Sequence, residues 1–106
     1  MENESICITA YNGTRRWYLN GQYHREDGPA IEYSDGSKVW YLNGRFHRVG
    51  GPAIIRKNGE TEWWINGNRV THEITKWAEE NDIALDNLTE VDKALIKLVW
   101  ADYDEK

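Results

Sequence analysis

A 23-residue unit runs almost three times through this chain of 106 residues, and it constrains the fold more than any other feature. Cys7-Ile8 to Asn12-Gly13 aligns with Ala30-Ile31 to Asp35-Gly36 and with Ala53-Ile54 to Asn58-Gly59. Each copy continues to an aromatic stretch and a second Asn-Gly: Trp17-Tyr18-Leu19-Asn20-Gly21, Trp40-Tyr41-Leu42-Asn43-Gly44 and Trp63-Trp64-Ile65-Asn66-Gly67. A constant period of this size signals a stacked architecture, in which each unit buries its apolar face only against its neighbours. The repeat is therefore a scaffold, and function lies on the surface it presents.

Within the unit, Asn-Gly between alternating residues predicts a two-residue hairpin turn, because both residues adopt positive φ at little energetic cost. Such turns are expected at Asn20-Gly21, Asn43-Gly44 and Asn66-Gly67. A second set, at Asn12-Gly13, Asp35-Gly36 and Asn58-Gly59, joins the end of one copy to the aromatic strand of the next. Between them, Asp27-Gly28-Pro29-Ala30 and Gly50-Gly51-Pro52-Ala53 mark a bend, since Pro removes a ladder donor and Gly frees the backbone. The whole reads as an antiparallel meander that curls.

Strand alternation sorts the aromatic residues onto two faces. Trp17 with Leu19, Trp40 with Leu42 and Trp63 with Ile65 share one, the expected buried stack, worth several kcal/mol by area. Tyr18, Tyr41 and Trp64 share the other. Their rings either pack edge to edge across strands or form an exposed stripe for a partner. Cys7, aligned with Ala30 and Ala53, is expected to be a small core residue.

The order Asn-Gly, two residues, His, a Gly-containing bend, an aromatic residue and Asp-Gly resembles a divergent MORN repeat over residues 7 to about 70. His24 and His47 hold the position of that family's His, and Gly28 and Gly51 that of the following Gly. Arg25 and Arg48 depart from it by standing where Gly is usual. The spelling Leu-Asn-Gly-x-x-His-Arg followed by Gly-Pro-Ala-Ile is similar to that of small proteins of large tailed phages. This resemblance implies a β-hairpin repeat platform and an accessory product that binds a host factor in the host cytoplasm, for example a CRISPR-type defence component. Fold alone does not fix function.

After Val70 the apolar period lengthens to that of a helix. Ile74, Trp77 and Ala78 share a face, a break falls near Asn81-Asp82, and Thr89 with Asp92 announces a second helix through a carboxylate capping box. Val91, Ala94, Leu95 and Leu98 then form an apolar stripe, widened by Ile96, Val99 and Trp100, that requires burial. The helices are expected to cap the last repeat and cover its edge. The second helix is apolar enough all round to suit a homodimer or a partner groove as well, through Ile96, Val99 and Trp100.

Composition narrows the chemistry. The net charge is −5; residues 1–72 carry nine basic and eight acidic side chains, and residues 73–106 carry four and ten. No overall basic excess exists to grip phosphates, so direct nucleic-acid binding is not expected. Cys7 is the single cysteine, which excludes an intrachain disulfide. No apolar run approaches the roughly 20 residues of a membrane span, and the first residues do not read as a signal peptide, so a cytoplasmic protein is expected. No phosphate-cradling loop, nucleophile elbow or cysteine cluster is present. His24 and His47 with Asp27 and His72 lack the spacing of a metal site.

The sequence thus predicts one domain, mainly β with a C-terminal α part. About three hairpin repeats over 6–70 are closed by two helices over 71–106. The expected function is non-catalytic protein binding without cofactor or metal, using Tyr18, Tyr41 and Trp64 with Arg25, Arg45 and Arg48. Two rivals stand beside it: an anion or nucleotide site in the His/Arg rows, and a structural, self-assembling role.

Overall fold

The computed structural model describes residues 4–103. Eleven short strands precede two helices. The first copy contains β1 (Ile6–Thr9), β2 (Arg15–Leu19) and β3 (Gln22–Tyr23); the second β4 (Ile31–Glu32), β5 (Lys38–Val39), β6 (Tyr41–Leu42) and β7 (Arg45–Phe46). The third holds β8 (Ile54–Ile55), β9 (Thr61–Glu62), β10 (Trp64–Ile65) and β11 (Asn68–Arg69), followed by α1 (Thr71–Glu80) and α2 (Glu90–Trp100).

Both turn classes form where local chemistry demands. The φ pairs 53°/77° at Asn20-Gly21, 52°/78° at Asn43-Gly44 and 53°/80° at Asn66-Gly67 are those of a type I′ turn. In the other set, Gly13, Gly36 and Gly59 take φ of 92–96°. There the Asn12, Asp35 and Asn58 side chains accept the N–H two residues on, at 2.9–3.0 Å.

The curl comes from the tryptophans. Arg15 and Arg16, before Trp17, pair with β4 of the next copy, whereas Tyr18 and Leu19, after it, pair with β3 of their own hairpin. Trp17 N–H donates to the Ala30 carbonyl at 2.8 Å while its carbonyl accepts from His24 N–H at 3.0 Å. Trp40 repeats this with Ala53 and His47 at 2.7 and 3.1 Å. Each Trp is the corner at which the strand changes partners, so the structure is one antiparallel sheet in the order β1-β2-β4-β5-β8-β9 with β3 on β2, beside the hairpins β6-β7 and β10-β11.

Copies are fastened by recurrent ties. His24 Nδ1 accepts Asn43 N–H and His47 Nδ1 accepts Asn66 N–H, both at 2.9 Å. At the opposite end Thr14 Oγ1 accepts Ser34 N–H and Ser37 Oγ accepts Lys57 N–H, both at 3.1 Å. The recurring histidines are thus structural, and each is neutral on Nδ1 with its proton on Nε2.

The third copy departs from the pattern where the stack ends. The His position becomes Val70, fully buried among Trp63, Ile65, Ile74, Ile96 and Trp100. The Arg position becomes Thr71, whose Oγ1 accepts Trp63 N–H at 2.9 Å in place of a further Ala carbonyl. Two substitutions convert a repeat into a terminus: one removes a polar group that would lack a partner, the other supplies an acceptor.

The helices close that end. Thr89 caps α2 with the expected box, Asp92 N–H donating to its Oγ1 at 3.0 Å and Thr89 N–H to Asp92 Oδ2 at 3.1 Å. The break after α1 falls at Asp82, φ 56°. The inward face of α2 is Ile96 and Trp100, with the Trp100 ring edge-on to Trp77 at 6.0 Å and tilted on Tyr103 at 5.5 Å. The Val91-Leu95-Leu98 stripe expected to be buried faces outward instead. The physical reason is that Ile96 and Trp100 pack with Trp63, Ile65, Val70 and Ile74, and a helix presents only one face to that cluster.

Candidate interaction surfaces

The ladder face carries five rings in line. Tyr18, Tyr23, Tyr41, Phe46 and Trp64 follow one another at centroid distances of 5.1, 5.0, 4.8 and 4.8 Å. The type I′ turn sets Tyr18 opposite Tyr23 and Tyr41 opposite Phe46, and stacking the copies joins the pairs. Tyr23, Tyr41, Phe46 and Trp64 are half-buried over Ile31, Val39 and Ile54, which are 3%, 9% and 9% exposed, while Tyr18 extends the row beyond that cluster through its contact with Tyr23. They roof a second core, and partial burial raises the Tyr41 phenol above its ordinary pKa. Tyr23 and Phe46 were legible in the sequence by counting back from the turn, a register the face assignment alone did not use.

The ladder ends at Arg69, which stands where Tyr23 and Phe46 stand in earlier copies. Its Nε lies 3.4 Å from Glu62 Oε1, which also accepts the Trp64 indole N–H at 2.9 Å, and Arg56 pairs with Glu62 Oε2 at 2.7 Å. The indole N–H first, then Arg56 and Arg69, hold the Glu62 carboxyl below its ordinary value.

The opposite face explains the His-Arg and Gly-Pro signatures together. The Arg25 guanidinium lies 3.8 Å from the Trp17 ring centroid and Arg48 lies 3.9 Å from that of Trp40. Behind each guanidinium is a glycine: a Cβ on Gly28 would sit 2.9 Å from Arg25 Cζ, and one on Gly51 2.5 Å from Arg48 Cζ. Arg25 Nη1 donates to the Pro29 carbonyl at 3.1 Å and Arg48 Nη1 to that of Pro52 at 3.0 Å. Each Arg is clamped between an indole and a Gly-Pro backbone. Trp17 and Trp40 are accordingly half-buried under arginines, and only Trp63, 3% exposed beneath the helices, sits in a wholly apolar stack.

Sorted this way, the expected binding residues do not share one surface. Tyr18, Tyr41 and Trp64 belong to the ladder; Arg25 and Arg48 belong to the Trp clamps behind it. Arg45 is exposed near the hairpin tip, its stem along Gly67. Of the arginines proposed for an anion, Arg25 is already paired with Asp27 at 3.0 Å and Glu32 at 3.3 Å. Arg48, whose corresponding positions are Gly50 and Ile55, meets no such carboxylate among the described residues, and burial lowers its pKa.

On α2, Ile96 and Trp100 are 0% and 9% exposed and belong to the core, while Val99 is half exposed. The outward side chains are Val91 at 77%, Leu95 at 37%, Leu98 at 82% and Val99 at 50%. They recur at i, i+4, i+7 and i+8, a stripe along one helix face. Cys7 is also corrected: it is exposed, while Ala30 and Ala53 are fully buried, because β1 is the outermost strand of the sheet and no described residue packs beyond it.

No family model, curated protein or solved structure matches this chain. No helix among the described residues is long and apolar enough to cross a membrane.

Proposed function

We propose that this chain is a non-catalytic protein-binding module that docks the outer face of α2 into an apolar groove of a partner protein rimmed by basic side chains. The observation that carries this reading is the outward stripe Val91, Leu95, Leu98 and Val99 on a helix whose other face already completes the core. Helix-in-groove recognition uses this i, i+4, i+7 pattern, and apolar patches of this kind mark interaction sites. Charge selects the partner. Residues 73–106 hold four basic and ten acidic side chains, a net of −6 (4 − 10). Two such acidic segments repel each other, so α2 suits a basic-rimmed partner better than a second α2. In the phage setting that the MORN-like resemblance implies, the partner is a host factor.

The test is capture of bacterial lysate proteins by the tagged chain and by a Leu95→Lys/Leu98→Lys variant. One stoichiometric protein is expected to bind the parent, to weaken as salt rises and to be lost in the variant. Binding that survives in the variant, or that is lost instead on Tyr41→Ala/Trp64→Ala in a chain that still folds, would move the site to the ladder.

A further inference from the structure

The two ends of the repeat stack differ. At the C-terminal end Val70 and Thr71 replace the ties, and the helices bury Trp63 and Ile65. At the other end β1 pairs with β2 on one side, and among the described residues nothing pairs with its outer side. Ile8 is 58% exposed, whereas Ile31 and Ile54 at the same repeat position are 3% and 9% exposed. Ile6 is 67% exposed on the same face. The N–H groups of Asn20 and Tyr11 correspond to those of Asn43 and Ser34, but they meet no His or hydroxyl side chain among the described residues.

This edge also lacks the devices that keep strands apart. Ile6-Cys7-Ile8-Thr9 has no charge and no proline, and it runs as regular strand for four residues, as long as or longer than every strand here except β2. Ile31 and Ile54 receive an antiparallel strand on the side that β1 leaves open. Any occupant that continues the sheet in the same sense is therefore antiparallel to β1.

We propose that the occupant is a second copy of this chain, with β1 pairing antiparallel to β1 across a twofold axis at Cys7. An isologous contact requires a self-complementary edge, and this one is. With Cys7 opposite the partner's Cys7, Ile6 faces the partner's Ile8 and Ile8 the partner's Ile6, so four isoleucines close over one face and extend the apolar row beside Tyr18. β1 itself brings no charge to the contact, and Arg16, beside Ile8 in the same register, stands at its rim. With four residues on each side the contact is small by the standard of stable interfaces, so weak, concentration-dependent association is expected. The dimer carries two α2 faces, which strengthens binding to any partner with paired grooves. The proposal does not rest on the α2 reading.

Sedimentation equilibrium of the full chain from about 1 to 300 μM tests it. The mass is expected to rise toward twice that of the chain, and Ile8→Lys, at a position exposed in the single chain and expected to leave the fold intact, is expected to weaken association at least tenfold. Mild oxidation with diamide is expected to trap a disulfide-linked dimer through Cys7, the oxidant taking the two thiol hydrogens, in the parent far more than in Ile8→Lys. A monomer at all concentrations overturns the proposal. So does a dimer that Ile8→Lys leaves intact: if Leu95→Lys/Leu98→Lys abolishes it, α2 is the contact. Dimerisation through β1 without lysate capture overturns only the α2 reading.

Discussion

Thr71→Val removes the hydroxyl that ends the repeat stack. In the first two copies the Trp N–H donates to the Ala carbonyl of the next copy; in the third it donates to Thr71 Oγ1 at 2.9 Å, and Trp63 is 3% exposed. Valine keeps the shape of threonine and removes the oxygen, leaving the Trp63 N–H in a part-buried site without its acceptor and deleting the longer contact from the same hydroxyl to the Trp63 carbonyl at 3.4 Å. Such an orphan costs about 1–3 kcal/mol, a sizeable part of the 5–15 kcal/mol that holds a domain folded. For a chain of this length that lowers Tm by roughly 4–14 °C. Thr71→Ser, which keeps the oxygen, separates the hydrogen bond from packing and is expected to lose about 1 kcal/mol or less. Urea titration followed by tryptophan fluorescence measures both, with an unchanged m-value certifying that the unfolded state is the same. A Thr71→Val chain within about 0.5 kcal/mol of the parent, at equal m, would refute the reasoning that the terminal Trp requires a substitute acceptor.

Two further predictions follow from the clamps and ties. Gly51→Ala places a Cβ 2.5 Å from Arg48 Cζ, so the flexible end of that side chain must lift off Trp40; a loss of about 0.5–2 kcal/mol, the worth of the cation–π contact, is expected in the same titration, and a neutral outcome would show that the Arg-Trp contact is slack. His47 is held below its ordinary pKa of 6.5 by burial, and its Nδ1 must stay unprotonated to accept Asn66 N–H. With the folded pKa depressed, the unfolded chain binds more protons, so this stability is complete above pH 6.5 and falls as pH drops through the folded value. The urea midpoint of the parent should therefore decline from pH 7.5 toward 5.5 more than that of His47→Gln; equal declines would remove His47 from the account.

Much of the fold was legible because its signals are local. Asn-Gly fixes a type I′ turn through the φ preferences of two residues, Thr89 and Asp92 fix a helix start through two hydrogen bonds, and the 23-residue period fixes stacking. His24 and His47 recur at one repeat position because each ties its copy to the next, Nδ1 accepting the N–H of Asn43 or Asn66. The Arg residues were harder. Their spacing suggested an anion groove, yet the residue that occupies each guanidinium is a Trp eight positions back, brought over it by the corner in the strand. Val70 and Thr71 looked like the end of a pattern; only the paired N–H and the buried side chain reveal them as replacements for specific ties.

The sequence by itself determined a stack of antiparallel hairpins with a helical cap, since turn chemistry and period require nothing beyond neighbouring residues. Tertiary structure alone decided which apolar face of α2 turned inward. Both faces carry enough hydrophobic side chains to be buried, so periodicity could not choose; the shape of the site over Ile65, Val70 and Ile74 did, by accepting Ile96 and Trp100 and leaving Leu95 and Leu98 outside. It likewise decided that Ile8 stands exposed while Ile31 and Ile54 are buried, because burial in a stack depends on the neighbouring copy and not on the residue itself.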